Sequence, residues 1–463
     1  MTFTRGRKVH FVGIGGAGMS AIAKVLLERG LEVSGSDLKR SAALTMLEAT
    51  GATVQIGHDA SLVEHRDLVI VSSAITEANS ELVRARELGI EVMTRGRALA
   101  ELLEGGRAVV VAGTHGKTTT TSMIVSVLHH ASVDPTYLIG GGLNDVGTNA
   151  RSGRDDLAIA ESDESDGSFL LLRPQVAVVT NVEADHLDYW RSEAAIRDAF
   201  EQFMGAVEGG EAEGTGGTIV VPADDEGLVT SAAKSEAKVI GFGHEGDVSA
   251  VNVVPGPRGS TFRLVAGAEH ADVELSVPGE HNVSNALAAA AGCLAIGLDL
   301  TTVAGGLASY RGVERRFEIR GAVDGVTIID DYAHHPTEVR ATLAAARPGP
   351  WERIVAVFQP HRYSRTAAFS ADFGRSFDNA DRVVVTDVYG AGEQPVPGVT
   401  GKLIADATCV HLPGRPVAYL PHRGELLAYL QASVRSGDAL ITLGAGDVTA
   451  VGDELLARLG GRR

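Results

Sequence analysis

The segment Val109-Val110-Val111-Ala112-Gly113-Thr114-His115-Gly116-Lys117-Thr118-Thr119 constrains the fold of this chain more than any other. β-Branched residues followed by glycines and then by Lys-Thr-Thr predict a strand, a tight turn and a helix. In such a turn the backbone N–H groups of Gly113 to Thr118 point into the bend at the positive end of the helix, which is where a phosphate binds. Lys117 adds a mobile cation, and the hydroxyl of Thr118 or Thr119 offers an oxygen to Mg2+. These parts suit a nucleoside triphosphate, so ATP and Mg2+ are the expected cofactors. The common loop is written G-x-x-x-x-G-K-[ST]; here only Thr114 and His115 separate Gly113 from Gly116-Lys117. A glycine turn that binds nothing is the plain alternative, and Lys-Thr-Thr directly after a Val-rich strand argues against it.

A second glycine loop lies in Val9-His10-Phe11-Val12-Gly13-Ile14-Gly15-Gly16-Ala17-Gly18-Met19-Ser20. In G-x-G-x-x-G, Gly13 permits the turn, Gly15 lets a pyrophosphate approach the backbone, and Gly18 lets helix pack on strand. The next strand, Leu31-Glu32-Val33-Ser34-Gly35-Ser36-Asp37, ends about twenty residues on in an acid, the place where a ribose hydroxyl is held. Alone this pattern reads as a nicotinamide-dependent dehydrogenase, which would leave Lys117 idle. Both loops in one chain favour a nucleotide-linked substrate in one domain and ATP in another.

A length of 463 residues exceeds one core. Apolar content of 44% and charged content of 22% are ordinary for a globular enzyme. A net charge of −18 disfavours nucleic acid and anionic membranes, whose binding draws on neutralised phosphates. Cys293 and Cys409 lack metal-type spacing and are expected reduced and inert. The segment Met1–Lys8 has no apolar signal core, and no run approaches the ~20 apolar residues of a membrane span, so a cytoplasmic location is expected.

Strands and helices alternate through the first hundred residues, with helices starting near Met19, Ala42 and Ser80: a doubly wound α/β unit. Gly105-Gly106 closes its last helix. The expected organisation is α/β in three domains, residues 1–105, 106–320 and 321–463. In the second, short alternating runs between Gly243 and Pro278 suggest an antiparallel appendage, a helix begins at Asn282, and Gly205 to Gly217 reads as a surface loop. The third starts near Gly321 with Val326-Thr327-Ile328-Ile329-Asp330-Asp331.

Metal candidates follow two strands of the second domain: Glu161-Ser162-Asp163-Glu164-Ser165-Asp166, and Thr180-Asn181-Val182-Glu183-Ala184-Asp185-His186. Strand ends that meet a phosphate loop form the ligand crevice of an open sheet, and Mg2+ takes carboxylates plus phosphate oxygens. A solvated acidic loop is the competing reading.

Gly113-Thr114-His115-Gly116-Lys117-Thr118, Asn181-x-x-x-Asp185-His186, His281-Asn282-x-x-Asn285 and Asp331-Tyr332-Ala333-His334-His335-Pro336-Thr337-Glu338 together resemble the Mur ligase family over nearly the whole chain. The N-terminal glycine loop, the Asp331 segment and Phe358-Gln359-Pro360-His361-Arg362-Tyr363-Ser364-Arg365-Thr366 are most similar to the branch that adds L-alanine to UDP-N-acetylmuramate. Sister enzymes of later steps carry a carbamylated lysine after the Asp-His motif; no lysine occurs here between Lys117 and Lys234. The resemblance implies an ADP-forming ligase of cytoplasmic peptidoglycan synthesis, with ATP, UDP-N-acetylmuramate and L-alanine as partners and a monomer or homodimer. A recycling ligase that attaches a murein tripeptide to the same sugar nucleotide shares most of these motifs.

Carried over residue by residue, the resemblance makes Lys117, Glu161, His186 and His334 catalytic and Thr118, Glu161 and His186 metal ligands. ATP would meet Gly113 to Thr119, His281, Asn282, Asn285, Arg315, Arg316 and, at its ribose, Asp331. Capping of a helix by Asn282 is the bland reading of that segment. The sugar nucleotide would meet Gly13, Gly15, Gly16, Ala17, Gly18, Met19, Ser20, Asp37, Ser72, Ser73 and Arg95. Tyr332, His334, His361, Arg362 and Arg365 would form the amino-acid pocket, an arginine fork taking the carboxylate.

Overall fold

The computed structural model describes residues 3–144, 146–208 and 216–461. The expected loop from Gly205 to Gly217 lies in large part outside the described residues. The chain divides into two compact units. One comprises Met1–Val251, Arg263–Val273 and Ser284–Tyr310; the other comprises Asn252–Phe262, Glu274–Val283 and Arg311–Arg463.

The first unit opens with five strands, β1 (Lys8–Val12), β2 (Glu32–Asp37), β3 (Thr53–Ile56), β4 (Leu68–Val71) and β5 (Glu91–Thr94), in the order β3-β2-β1-β4-β5. All pairs are parallel. A parallel sheet is covered on both faces, which is why β4 reads as an unbroken apolar run and β1, after Lys8, as one interrupted only by the buried His10, with Val9, Phe11, Leu68 and Ile70 fully buried. Strand order reverses at β1, placing the crevice beyond its carboxyl end, where the first glycine loop sits.

Seven further strands of this unit are β6 (Arg107–Ala112), β7 (Thr136–Leu138), β8 (Ala150–Arg151), β9 (Leu157–Glu161), β10 (Val176–Val179), β11 (Thr218–Pro222) and β12 (Lys238–Phe242). They run β12-β11-β10-β6-β9-β7-β8, parallel except for β8 at the edge. The second glycine loop follows β6, which lies between β10 and β9, so the ends of all three strands face one crevice. The helix Lys117–His130 is buried almost throughout. Its neighbour Leu300–Ser309 approaches closely because Gly306 has no side chain; a Cβ there would lie 2.5 Å from Val127 Cα.

Strands β13 (Val248–Gly256), β14 (Gly259–Ala266) and β15 (Glu269–Leu275) occupy the stretch where the sequence passes between the units. The second unit carries β16 (Glu318–Val323), β17 (Val326–Asp331), β18 (Arg353–Phe358), β19 (Arg382–Val385), β20 (Val417–Tyr419) and β21 (Asp438–Leu443), ordered β16-β17-β21-β18-β19-β20. Only β16 is antiparallel.

Several boundaries differ from expectation. The first helix starts at Ala17, and the helix expected at Asn282 starts at Glu280. The last sheet begins at Glu318 rather than Gly321, because a register shift between Ile319 and Gly321 breaks the alternation there. Strands β5, β7, β8, β12 and β20 lie outside the sequence expectation; none exceeds five residues. Cys293 is buried, which raises its thiol pKa, whereas Cys409 is exposed. Among the described residues no helix is long and apolar enough to cross a membrane.

Gly35 on β2 faces the first glycine loop, and a Cβ there would lie 2.6 Å from Ile14 Cδ1 and 2.8 Å from the Phe11 carbonyl oxygen. Gly35→Ala is therefore expected to destabilise the fold by about 1–3 kcal/mol in denaturant unfolding, the usual range for overpacking. An unchanged midpoint would contradict this packing.

Candidate active site

Two glycines let the chain turn out of β6. Gly113 and Gly116 have φ of +136° and +81°, in the region that disfavours a side chain. A Cβ on Gly113 would fall 2.1 Å from Thr180 Oγ1, and one on Gly116 would fall 2.3 Å from Asn285 Oδ1. The loop is braced by the segment after β10: the Thr114 amide donates to the Asn181 carbonyl at 3.0 Å, and the His115 amide to Asn181 Oδ1 at 2.9 Å. Asn181 Nδ2 and Thr180 Oγ1 donate in turn to the His115 carbonyl at 3.0 and 2.6 Å. This corrects the expectation that every amide from Gly113 to Thr118 faces the bend. Thr114 and His115 use theirs to hold the loop's shape, which leaves the first helical turn from Lys117 to present donors.

Lys117 Nζ donates to the Gly113 carbonyl at 2.6 Å and to Glu164 Oε2 at 2.7 Å, with Asp163 Oδ1 at 3.7 Å. Burial favours the neutral amine, but the charges of Glu164 and Asp163 outweigh it and hold the lysine pKa above its usual value, so it stays a cation. Burial also pushes the Glu164 carboxyl up to about 7 against the pull of Lys117. Thr118 Oγ1 donates to Glu161 Oε1 at 2.8 Å, and the Gly140 amide donates to Glu161 Oε2 at 2.7 Å. Thr119 is buried beside them.

His186 sits at φ +51° beyond β10, with Nε2 3.9 Å from Glu164 Oε1 and 3.7 Å from Asp185 Oδ2. Donor atoms of Asp163, Glu164 and His186 all lie within 4.8 Å of one another. The expected set of Thr118, Glu161 and His186 is thus arranged as a Thr118–Glu161 pair and a separate His186 group that recruits Asp163 and Glu164. Glu164 Oε1 is buried without a hydrogen-bond partner, an arrangement that a hard divalent cation would satisfy. The sequence singled out the acidic run but not which member meets Lys117. Trp190 Nε1, donating to the Glu164 carbonyl at 3.0 Å, carried no signal at all.

At the first glycine loop, Gly13 has φ +82° and its amide donates to the Ser36 carbonyl at 2.8 Å. Asp37 Oδ2 accepts from the Gly15 amide at 2.9 Å, so the acid expected at a ribose is tied to the loop itself. Gly16, Ala17 and Gly18 lead into the helix; Met19 is buried, and Ser20 Oγ donates back to the Ala17 carbonyl at 3.0 Å. Ser72 borders Gly13, and Ser73 is exposed. Arg95 lies against Gly18, whose Cβ would stand 3.1 Å from Nη1, while Nη2 donates to Asp166 Oδ2 at 3.0 Å and Ser168 Oγ at 3.3 Å. One arginine therefore links the first glycine loop to the acidic run beside Lys117.

In the second unit, Asp331 ends β17, and its oxygens accept from the Phe317 and Ala333 amides, each at 2.8 Å. Burial pushes this carboxyl up to about 6. Arg315 and Arg316 flank the Tyr332 ring at 4.9 and 5.1 Å from its centre. Arg315 is held by the Gly444 carbonyl at 2.7 Å and by Asp330, whereas Arg316 approaches Glu338 at 3.7 Å. A row of rings continues from Tyr332 to His334, His361 and Tyr389, with centres 5.3, 5.7 and 5.8 Å apart. Tyr389 was missed because it follows β19 in a loop without periodic pattern.

Arg362 stands at φ +69° at the head of the helix Tyr363–Gly374, in which Arg365 is buried. His281 in the same unit is half-buried, and its desolvation pushes its pKa down to about 4. Asn282 is no helix cap: it lies inside the helix and donates through Nδ2 to the Pro278 carbonyl at 2.7 Å. Asn285 belongs to the first unit, within 3.4 Å of Thr120 Oγ1.

Three family models match the chain in succession: "Mur ligase family, catalytic domain" over residues 8–107, "Mur ligase middle domain" over 111–293 and "Mur ligase, glutamate ligase domain" over 315–446. A UDP-N-acetylmuramate--L-alanine ligase from Rubrobacter xylanophilus is 48% identical over 98% of this chain and 100% of its own. The crystal structure of a UDP-N-acetylmuramate-alanine ligase from Thermotoga maritima superposes with a TM-score of 0.83, 31% identity, and coverage of 98% of this chain and 100% of its own. That of a murein peptide ligase from Psychrobacter arcticus gives 0.72 and 26%, covering 98% and 99%. The chain belongs to the Mur ligase family.

Proposed function

We infer that this chain joins L-alanine to the lactyl carboxylate of UDP-N-acetylmuramate, converting ATP to ADP and phosphate. The observation that carries this reading is the second glycine loop, whose Lys117 and Thr118 are each held by a carboxylate of the acidic run. The name and full-length identity of the Rubrobacter xylanophilus relative support the choice of alanine, as does the greater likeness to the alanine ligase than to the murein peptide ligase. Residues 1–105 would take the sugar nucleotide, 106–320 ATP and 321–463 the amino acid, in the cytoplasm where its precursors are made.

A lactyl carboxylate oxygen attacks the γ-phosphorus, ADP leaves, and an acyl phosphate forms. The alanine amine then attacks the acyl carbon, and the tetrahedral adduct collapses to amide and inorganic phosphate. Carboxylate oxygen is a poor leaving group and phosphate a good one. Lys117 neutralises charge on the transferred phosphoryl group, which is where positioning and electrostatics do most of the catalysis. Mg2+ supplies further charge neutralisation when bound; Thr118 and Glu161 would hold one ion and His186 with Asp163 and Glu164 a second. His334 is fixed by its Nδ1 contact to the Tyr332 carbonyl at 3.0 Å, which orients its ring towards the row that ends at Tyr389.

Phosphate release by the purified protein should require UDP-N-acetylmuramate and L-alanine together, with glycine, L-serine and a murein tripeptide poorer acceptors; a faster rate with the tripeptide would overturn the choice of alanine. Lys117→Ala should abolish turnover while leaving UDP-sugar affinity nearly intact, and wild-type turnover in that variant would remove the lysine from the reaction. Glu161→Gln should raise the Mg2+ concentration for half-maximal rate by roughly ten- to a hundredfold. No change in Mg2+ demand would exclude Glu161 as a ligand.

A further inference from the structure

Beneath the first sheet lies a polar cluster that the phosphoryl-transfer chemistry does not use. Glu81, on the helix Ser80–Glu87, is 0% exposed. Its Oε2 accepts from His10 Nε2 on β1 at 2.9 Å and from Ser36 Oγ on β2 at 2.8 Å. Its Oε1 lies 3.0 Å from His58 Nδ1 and accepts from the Asp59 amide at 3.1 Å, both in the loop after β3. His10 Nδ1 pairs with Ser34 Oγ at 2.9 Å, and His58 Nδ1 also stands 3.0 Å from Ser36 Oγ. Burial alone would raise the Glu81 pKa, but the donors from His10, Ser36 and His58 hold it below the ordinary glutamate value.

A buried carboxylate among imidazoles is not needed to stabilise a sheet; apolar side chains of similar volume serve as well or better. What it supplies is direction. Glu81 joins β1, the end of β2, the loop after β3 and the helix after β4, and it does so at the residue from which the first glycine loop hangs. The Ser36 carbonyl accepts from the amides of Gly13 at 2.8 Å and Ile14 at 3.1 Å, and the adjoining Asp37 carboxylate accepts from Gly15. The Gly57 amide, next to His58, closes the circuit on the Asp37 carbonyl at 2.8 Å.

We propose that Glu81 is a positioning residue for substrate binding: through Ser36 and His58 it sets the shape of the Gly13–Gly18 loop and thereby the affinity for the pyrophosphate of the UDP-sugar. The inference rests on that loop being the pyrophosphate site. The intact protein, assayed by steady-state kinetics with each substrate varied in turn, tests it. Glu81→Gln keeps the side-chain shape but turns one acceptor into a donor facing His10, Ser36 or His58. It should raise KM for UDP-N-acetylmuramate about tenfold or more, the effect of one charged hydrogen bond. The kcat at saturating sugar nucleotide and the KM values for ATP and L-alanine should stay within about twofold. Ser36→Ala, which leaves the His10–Glu81 pair intact, should act in the same direction and decides the matter if Glu81→Gln does not fold.

An unchanged sugar-nucleotide KM in the folded variants, or equal losses in kcat and all three KM values, would overturn the proposal. Gly15→Ala separates this failure from that of the underlying reading, because its Cβ would stand 2.9 Å from Asp37 Oδ2 inside the loop itself. If Gly15→Ala leaves sugar-nucleotide KM untouched, the pyrophosphate assignment fails; if it raises KM while Glu81→Gln and Ser36→Ala do not, only the positioning role fails.

Discussion

Lys117 is a buried cation whose charge is compensated before any substrate arrives. Its ammonium reaches back to the Gly113 carbonyl and forward to Glu164, so the loop and the acidic run after β9 are joined through one nitrogen. Removing a charge from water costs several kcal/mol unless partners replace the solvent, and the Glu164 carboxylate is that partner. The rest of the site is arranged around this pair. Asn181 braces the loop from the side of β10, Glu161 holds Thr118 from the side of β9, and His186 closes the space near Glu164. A triphosphate entering here would meet a cation already oriented and would compete with Glu164 for it.

The same economy of connection appears in the first sheet. Arg95 leans on Gly18 and bonds Asp166, two residues from Glu164. The first glycine loop and the acidic run are therefore coupled within one compact unit by a single guanidinium, whose planar fork suits it to hold two partners at fixed angles. The sheets behind both loops are largely apolar, with the His10–Ser36–Glu81 cluster as a polar exception in the first, and acidic and hydroxyl groups gather where strands end, as expected of open parallel sheets.

Much of this was legible in the sequence because it is local. A Val-rich run followed by Gly and Lys-Thr-Thr specifies strand, turn and helix within a dozen residues, and G-x-G-x-x-G does the same near the N-terminus. The α/β class and the family followed from such segments. What depended on tertiary approach was less legible. Among Glu161, Asp163, Glu164 and Asp166, the direction in which the chain leaves β9 decides that Glu161 meets Thr118, Glu164 meets Lys117 and Asp166 meets Arg95, and nothing in their spacing encodes that direction. Asp37 and Asp331, expected at a ribose, also accept backbone amides of their own neighbourhood, contacts that no local pattern announces. Tyr389 joins the His361 ring through strand pairing across the second unit, a contact without a local pattern. Gly140, whose amide holds Glu161, was hidden for the same reason.

The central claim is that a phosphoryl group held at Lys117 passes to the sugar-borne carboxylate before the amine arrives. It is tested most directly by following oxygen. UDP-N-acetylmuramate labelled with oxygen-18 in its lactyl carboxylate, turned over with ATP and L-alanine, should deliver one labelled oxygen to the inorganic phosphate for each amide formed. Phosphate free of the label, with the amide nonetheless produced, would contradict activation through an acyl phosphate and with it the role assigned to the loop.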